Sequence, residues 1–146
     1  MVFSMQNKKR GLEFQASTDG GSSYNTTITS TYFRTSSDES GSSADLQYQA
    51  SQDQPQGTGY QNISQSIGTD NDQSGAGILH VFDPASTTFV KHFMARSNNA
   101  HQSDKTRDVY AAGFFNTTSA IDEIQFRMAS GNIDDGTFKL YGIKDS

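Results

Sequence analysis

Cysteine and tryptophan are absent from this chain of 146 residues, and proline occurs only twice. Without cysteine there is no disulfide framework, no thiolate nucleophile and no cysteine-based zinc site. Hydrophobic residues make up 32% of the chain and charged residues 18%, both below the averages of globular domains. No apolar run approaches the roughly 18 residues that a membrane-spanning helix needs. The sequence therefore predicts a single polar domain with no membrane partner.

The charge of the chain is unevenly distributed. The net charge is −5, and it would be −8 without the basic triplet Lys8, Lys9 and Arg10. An acidic body repels phosphate backbones and no second basic cluster follows, so we predict no binding of nucleic acid. The triplet either contacts an acidic partner or belongs to a solvated tail. We predict an N-terminal arm over residues 1–10, with the triplet binding a partner, and a folded domain over residues 11–146.

Sixteen aromatic residues, ten Phe and six Tyr, argue against disorder. Apolar and polar residues alternate with period two, which is typical of half-buried strands, and no segment has helical spacing over ten or more positions. We predict strands at residues 11–17, 23–35, 62–67, 77–82, 87–96, 109–115, 123–129 and 137–143, with a further short strand around 45–50. The sequence therefore predicts an all-β fold, a single antiparallel β-sandwich of about eight strands with a jelly-roll-like topology.

Turn and core positions follow from the same pattern. Asp19-Gly20-Gly21 is typical of a tight hairpin turn, so we expect strands 11–17 and 23–35 to pair. The polar segments 36–61, 68–77 and 97–107 are predicted loops. The residues that we expect to be largely buried hold inward positions on the alternating strands: Phe14, Ile28, Phe82, Phe93, Phe115, Phe126, Phe138 and Leu140.

One loop carries a partial calcium motif. Asp70, Asp72 and Ser74 alternate as oxygen donors before Gly75, as in the first half of a calcium loop. The twelfth position is Val81 rather than a bidentate Glu, so an ordinary solvated loop is the competing interpretation. His80 and His92 lie on neighbouring predicted strands, but two imidazoles lack the third ligand of a catalytic zinc site. We therefore predict no cofactor, with the calcium loop as a weak candidate.

Nothing in the sequence selects catalytic residues. No serine lies in a Gly-x-Ser-x-Gly elbow. The adjacent acids Asp122-Glu123 and Asp134-Asp135 point to opposite faces wherever they lie on a strand, so neither pair converges on one substrate atom. We predict that the chain is not an enzyme. Six tyrosines lie among short polar residues, so a sugar-binding surface is an alternative interpretation. They are Tyr24, Tyr32, Tyr48, Tyr60, Tyr110 and Tyr141.

Three segments resemble a known family. They are FQASTDGGSSYNTTITST (residues 14–31), FDPASTTFVKHF (82–93) and residues 116–143, whose ending GNIDDGTFKLYGI (131–143) is the most specific part. This ending resembles that of small β-rich proteins of marine tailed bacteriophages, often encoded among virion structural genes. The resemblance implies a virion component, a head decoration or a small appendage or tail-fibre protein, that binds a capsid or tail protein and carries no catalytic residues. A carbohydrate-binding module that recognises a host glycan is the alternative.

The N-terminus departs from that family. Family members have an additional stretch before the FQASTDGGSSY segment that supplies an opening strand. Here the strand is missing, is replaced by residues 2–4, or comes from a neighbouring subunit. An open strand edge invites pairing with another chain. We therefore predict a homo-oligomer, with a trimer favoured.

Overall fold

The computed structural model describes residues 1–6 and 11–143, and for residues 3–6 it describes the backbone alone. The strands are β1 (Val2–Gln6), β2 (Leu12–Ser17), β3 (Ile28–Asp38), β4 (Ala44–Tyr48), β5 (Pro55–Gly57), β6 (Gln61–Asn62), β7 (Gly75–Val81), β8 (Lys91–His101), β9 (Lys105–Phe115), β10 (Glu123–Met128) and β11 (Asp135–Lys139). A single 3₁₀ turn, Ala50–Gln52, is the only helical element of the described residues. Within these ranges no helix is long and apolar enough to cross a membrane.

The strands form two antiparallel sheets of unequal width. The large sheet has the order β11-β1-β7-β8-β9-β3-β4, with β5 also pairing with β3. The small sheet has the order β10-β2-β6. The small sheet packs on one side of the large sheet, which we call the inner face; the opposite side is the outer face. The predicted all-β sandwich is confirmed, with eleven strands described rather than about eight.

The core lies between β2 and the middle of the large sheet. Side chains of β8 alternate strictly between buried and exposed from Lys91 to His101, as expected for a strand with one covered face. Phe14 of β2 meets the rings of Phe93 and Phe115 edge-on, with centroids 5.1 Å and 6.0 Å away. Edge-to-face pairs of this kind add to the free energy gained from burial alone.

The hairpin predicted between residues 11–17 and 23–35 is wrong. The turn exists, with positive φ at Gly20 and Gly21, but β2 pairs with β10 and β6 while β3 pairs with β9 and β4. The chain between them crosses from one sheet to the other, held by a 2.8 Å hydrogen bond from Thr26 Oγ1 to the Ala16 carbonyl. The crossing places β2 over the large sheet, where Phe14 packs on Phe93 of β8 and Phe115 of β9. Side-by-side pairing of β2 and β3 in one sheet would prevent this contact.

The loop predicted at residues 97–107 is also wrong. Strands β8 and β9 continue through it as one long hairpin, with His101 opposite Lys105. The buried side chains here are polar, among them Ser97 and Asn99, so no apolar alternation marks the strand in the sequence. Their polar atoms are bonded to the segment that covers them: Ser97 Oγ donates to the Ile63 carbonyl at 2.6 Å and Asn99 Nδ2 to the Gln65 carbonyl at 3.2 Å.

Half of the predicted core residues are fully buried. Phe14, Ile28, Phe93 and Phe115 are inaccessible to solvent or nearly so, as predicted, and Phe126 is partly buried. The other three are exposed: Phe82 by 49%, Phe138 by 37% and Leu140 by 80%. Phe82 lies two residues beyond His80 and therefore on the outer face, with its ring 6.3 Å from that of His80. Leu140 follows edge strand β11, where the small sheet provides no cover. Phe138 packs on Phe126 of the small sheet at a centroid distance of 4.9 Å. It remains partly exposed because it lies on β11, the edge strand of the large sheet.

The N-terminal segment is part of the large sheet. Strand β1 lies between β7 and β11, with Val2 opposite both Ile78 and Lys139. Of the alternatives for the opening strand, this pairing supports replacement by the first residues of this chain. Within the predicted arm, residues 2–5 pair on both sides and Gln6 pairs with β11 alone. The predicted partner-binding residues Lys8, Lys9 and Arg10 lie outside the described residues.

We expect Phe93→Ala to lower the free energy of unfolding by about 3–5 kcal/mol, because it removes a ring from the centre of the core. The matched control Phe82→Ala removes the same atoms from an exposed position and should cost less than about 1 kcal/mol. Urea denaturation of both variants measures the difference. Equal losses would mean that the rings of Phe93 and Phe82 are equally buried, in conflict with the sheet packing described here.

Candidate functional site

The outer face of the large sheet is not covered by the small sheet. One residue from each of seven adjacent strands lies in a single row across it, in the order Tyr48, Phe33, Tyr110, Arg96, Ile78, Val2 and Lys139. With adjacent strands about 4.8 Å apart, the row is about 29 Å long. Its large apolar members are 39–60% exposed, apart from the half-buried Tyr110. We call these seven residues the cross-strand row.

Stacked side chains form the middle of the cross-strand row. The rings of Phe33 and Tyr110 are nearly parallel, with centroids 4.8 Å apart and planes 6° apart. The Arg96 guanidinium carbon lies 5.0 Å from the centroid of the Tyr110 ring. Because β9 lies between β3 and β8, Phe33 and Arg96 cover opposite faces of Tyr110. The ring therefore presents its edge to solvent.

The carboxylate of Asp108 is hydrogen-bonded to two polar groups of the cross-strand row. Asp108 accepts hydrogen bonds from Arg96 Nη2 at 2.8 Å and from the Tyr110 hydroxyl at 2.9 Å. The hydrogen bond to Asp108 is the main reason that the pKa of Tyr110 is raised. Asn98 lies opposite Asp108 and donates to Thr106 Oγ1 at 2.9 Å. The charges of Arg96 and Asp108 neutralise each other, so this part of the face carries little net charge.

Further apolar side chains continue the face towards the Lys91 end of β8. Met94 is 55% exposed and lies opposite His80 and Ala112. His92 lies opposite Phe114, with ring centroids 5.9 Å apart. Contiguous exposed apolar area of this kind is typical of interaction surfaces. The outer face can therefore bind a partner by shape and apolar contact.

The structure does not bring the candidate calcium ligands together with further carboxylates. Asp70 and Asp72 are exposed, and their turn is closed by its own hydrogen bonds between Asp70 and Gln73. Over residues 1–6 and 11–143, no group of three or more His, Asp or Glu side chains is arranged to hold a metal ion. Asp70, Asp72 and Ser74 are thus an exposed loop in this structure.

The histidines do not form one site. β7 and β8 are neighbours, but His80 lies opposite Met94, so His80 and His92 are diagonal neighbours on the outer face. His101 is on the inner face, buried to 8% exposure, and its Nδ1 accepts a hydrogen bond from the Ser103 backbone at 3.1 Å. Burial, followed by the charges of Arg107, Arg34 and Lys105, lowers the pKa of His101 to about 4. It is neutral at physiological pH.

The six tyrosines are dispersed rather than gathered in one sugar-binding surface. Tyr32 is fully buried. The hydroxyls of Tyr24, Tyr60 and Tyr110 are hydrogen-bonded to Glu123, Gln125 and Asp108 respectively, and the guanidinium of Arg127 covers the ring of Tyr60 at 3.5 Å. Tyr48 and Tyr141 remain strongly exposed. The adjacent acids Asp122 and Glu123 bind Gly20 and Tyr24 and do not converge.

Sequence reasoning did not find the cross-strand row. Its members come from seven strands separated along the whole chain, and no local motif contains more than one of them. The only available signal was the exposed apolar character of alternate positions, such as Phe33 among the threonines of β3.

We expect Asp108→Asn to lower the pKa of Tyr110 towards the ordinary value of tyrosine, because the amide cannot act as the charged acceptor that favours the protonated hydroxyl. The protein should remain folded, since exposed ion pairs contribute little to stability. An NMR titration of the Tyr110 ring measures the shift. Tyr24 serves as an internal control, because its pKa is raised by Glu123 rather than Asp108; a parallel fall at both tyrosines would contradict the prediction.

Comparisons of the chain with protein-family models, with curated proteins and with solved structures find no match.

Proposed function

We propose that this chain is a non-enzymatic structural protein of a tailed-bacteriophage virion that binds a capsid or tail protein through the outer face of its large sheet. The observation that carries the proposal is the cross-strand row, a continuous line of seven side chains with aromatic and aliphatic members. Interfaces are enriched in aromatic residues and Arg and are depleted of other charges at their centres. The row has this composition, with Tyr110, Phe33 and Arg96 at its middle.

The geometry of the rings favours a protein partner. A sugar stacks on an open aromatic face, but Phe33 and Arg96 occupy the two faces of Tyr110. A protein surface can pack against ring edges and the aliphatic side chains of Ile78 and Val2. Because stacking and hydrogen bonds already hold Phe33, Tyr110 and Arg96 together, these side chains lose less conformational entropy when a partner binds.

The resemblance of residues 131–143 to virion proteins of marine phages supports a location on the virion. In this segment β11 is an edge strand paired on one side with β1. The following residues Leu140, Tyr141 and Ile143 are strongly exposed. An edge strand followed by exposed apolar residues is suited to pairing with a further copy or with a neighbouring virion protein. We propose the same homo-oligomeric assembly as the sequence predicts.

We expect the double variant Ile78→Glu, Met94→Glu to be lost from purified particles by at least tenfold relative to wild type. Two carboxylates on the outer face would have to lose water when the face is covered, and Arg96, the cation opposite position 78, is already paired with Asp108. Quantitative mass spectrometry of particles from a phage carrying the variant gene measures the copy number. Far-UV circular dichroism and the melting temperature of the purified variant establish that it is folded.

The matched control is Thr18→Glu, Ser130→Glu, which adds the same charge at exposed positions that follow strands of the small sheet. It should be incorporated at the wild-type level. Incorporation of both double variants at the same level would overturn the proposal that the outer face is the binding surface. Absence of the wild-type chain from particles would overturn the proposed function. Hundreds of copies per particle correspond to head decoration, and a few to tens correspond to a tail component.

Recognition of a host glycan is the alternative function, and the exposed ring of Tyr48 beside Phe33 is the observation that favours it. Tyr48 is 60% exposed and ends the cross-strand row. A glycan array distinguishes the two functions. Specific binding that Tyr48→Ala abolishes, while Tyr141→Ala retains it, would favour the glycan. No specific binding by the folded protein would favour the protein partner.

A further inference from the structure

A cleft opens on the side of the small sheet that faces away from the core. Its volume is about 360 Å³, within the range of about 300–1,000 Å³ that is typical of small-molecule sites. Glu13 of β2 points to this side because its neighbours Leu12 and Phe14 belong to the core. Asn62 of β6 lies directly opposite Glu13, and both residues line the cleft. The cleft shares no residue with the cross-strand row, so it is a separate candidate site.

Three amide side chains line the cleft with groups that are accessible and unpaired. Asn62 Oδ1 accepts a hydrogen bond from the Ser64 backbone N–H, and Gln65 Oε1 accepts one from Arg107 Nη1, each at 3.1 Å. Because each amide is bonded through its oxygen, its NH₂ group remains available as a donor. Neither Asn62 Nδ2 nor Gln65 Nε2 is hydrogen-bonded to the described residues, and neither is buried. The side-chain amide of Gln52 is likewise unpaired within the described residues and accessible.

The charge of the cleft is balanced within the chain. Glu13 is 8% exposed and is the only charged residue among the described residues that line the cleft. Its Oε1 atom accepts a hydrogen bond from Arg127 Nε at 2.6 Å, whereas its Oε2 atom has no partner among the described residues. The guanidinium carbon of Arg127 also lies 3.5 Å from the centroid of the Tyr60 ring and covers one face of it. The cleft is therefore polar but nearly neutral, and an ionic ligand would find no unpaired countercharge there.

The composition of the lining narrows the class of ligand. Apart from the Tyr60 ring, Ala129 provides the only apolar side chain among the described residues of the lining. A peptide with apolar side chains would therefore find no pockets for them. A sugar hydroxyl is both a donor and an acceptor, so it can accept a hydrogen bond from an amide NH₂ group while it donates one to a carboxylate. An aromatic ring supplies apolar contact for the C–H groups of a sugar.

We propose that the cleft binds a neutral saccharide, with Asn62 Nδ2 and Gln65 Nε2 as donors, Glu13 Oε2 as acceptor and the Tyr60 ring as an apolar contact. The small sheet packs on the inner face of the large sheet, so the cleft and the outer face lie on opposite sides of the molecule. A chain attached to a virion through its outer face keeps the cleft accessible. This placement rests on the proposed function, whereas saccharide binding by the isolated chain does not.

The test is an NMR titration of the full chain with glucose, galactose, mannose and N-acetylglucosamine, with glycerol at equal concentration as the control polyol. The side-chain amide resonances of Gln52, Asn62 and Gln65 should shift and saturate with at least one of these sugars. The amides of Gln47 and Asn98 are controls within the same molecule, because both residues are exposed and neither lines the cleft. Cleft amides that respond to no sugar, or that respond no more than the two control amides, would overturn the proposal.

Gln65→Glu tests one donor without removing the bond that holds the side chain. The variant keeps an oxygen for Arg107 but has an acceptor in place of Nε2, so it should fold and its affinity for the sugar should fall about tenfold. Gln47→Glu is the matched control, because Gln47 Oε1 accepts in the same way from Arg34 Nη2 at 2.7 Å and lies outside the cleft. This control should bind as the wild type does, and equal affinities of the two folded variants would overturn the proposal.

Titration with N-acetylneuraminic acid tests the preference for a neutral ligand. Its carboxylate has no unpaired cation in the cleft, so it should bind more weakly than the neutral sugar. Tighter binding of this acid than of every neutral sugar would overturn the proposed ligand class. Failure of the sugar titrations is distinguishable from failure of the proposed function, because incorporation into particles is measured independently of sugar binding.

Discussion

The packing of Phe14 against Phe93 and Phe115 is the contact on which the rest of the structure depends. It joins the central strand of the three-stranded sheet to the middle of the eight-stranded sheet. Strand β2 is buried along its whole length, because the side chains that point away from this contact are covered as well. The Gln15 amide donates to the carbonyls of Thr26, Thr58 and Gly59 at 2.8–3.2 Å. A polar residue can therefore occupy a fully buried position in the small sheet.

The unequal width of the two sheets determines which surfaces remain available. The three strands of the small sheet cover only part of the inner face, and no strand or helix of residues 1–6 and 11–143 covers the outer face. The cross-strand row lies there, with its one ion pair between Arg96 and Asp108. Salt weakens an ion pair as exposed as this one, and it also screens long-range steering by net charge within about 3–10 Å at moderate to high salt. A surface of this kind relies on shape and apolar contact.

Buried charged side chains are hydrogen-bonded to different extents at the two ends of the inner face. At one end Lys91 is fully buried, and its ammonium donates to the carbonyls of Ser119 at 2.6 Å and Thr117 at 3.1 Å. These bonds tie the segment between β9 and β10 over the core. At the other end Arg34 and Arg107 each keep a buried Nε without a partner. Buried polar groups cost free energy unless they are hydrogen-bonded, so the first end is satisfied within the described residues and the second retains unpaired buried donors.

The sequence alone determined the all-β class and the approximate position of most strands, because alternation of apolar and polar residues is a local property. It also identified Phe14, Ile28, Phe93 and Phe115 as core residues, since each lies on a clearly alternating strand. It did not reveal that β8 and β9 continue through residues 97–107, where Ser97, Asn99 and His101 are buried and polar. Hydrogen bonds to the segment around Gln65 make that burial possible, and such bonds join residues far apart in the chain.

Strand partners were decided only by the tertiary structure. The Asp-Gly-Gly turn indicated a hairpin, yet β2 and β3 lie in different sheets, and Phe14 of β2 packs across the core on Phe93 and Phe115. Strand β1 pairs with β11 from the opposite end of the chain, a pairing that no local pattern specifies. The cross-strand row arises in the same way. Register across many strands places Phe33 beside Tyr110 and brings Arg34 near Arg107, and register is a property of the assembled sheet rather than of any one segment.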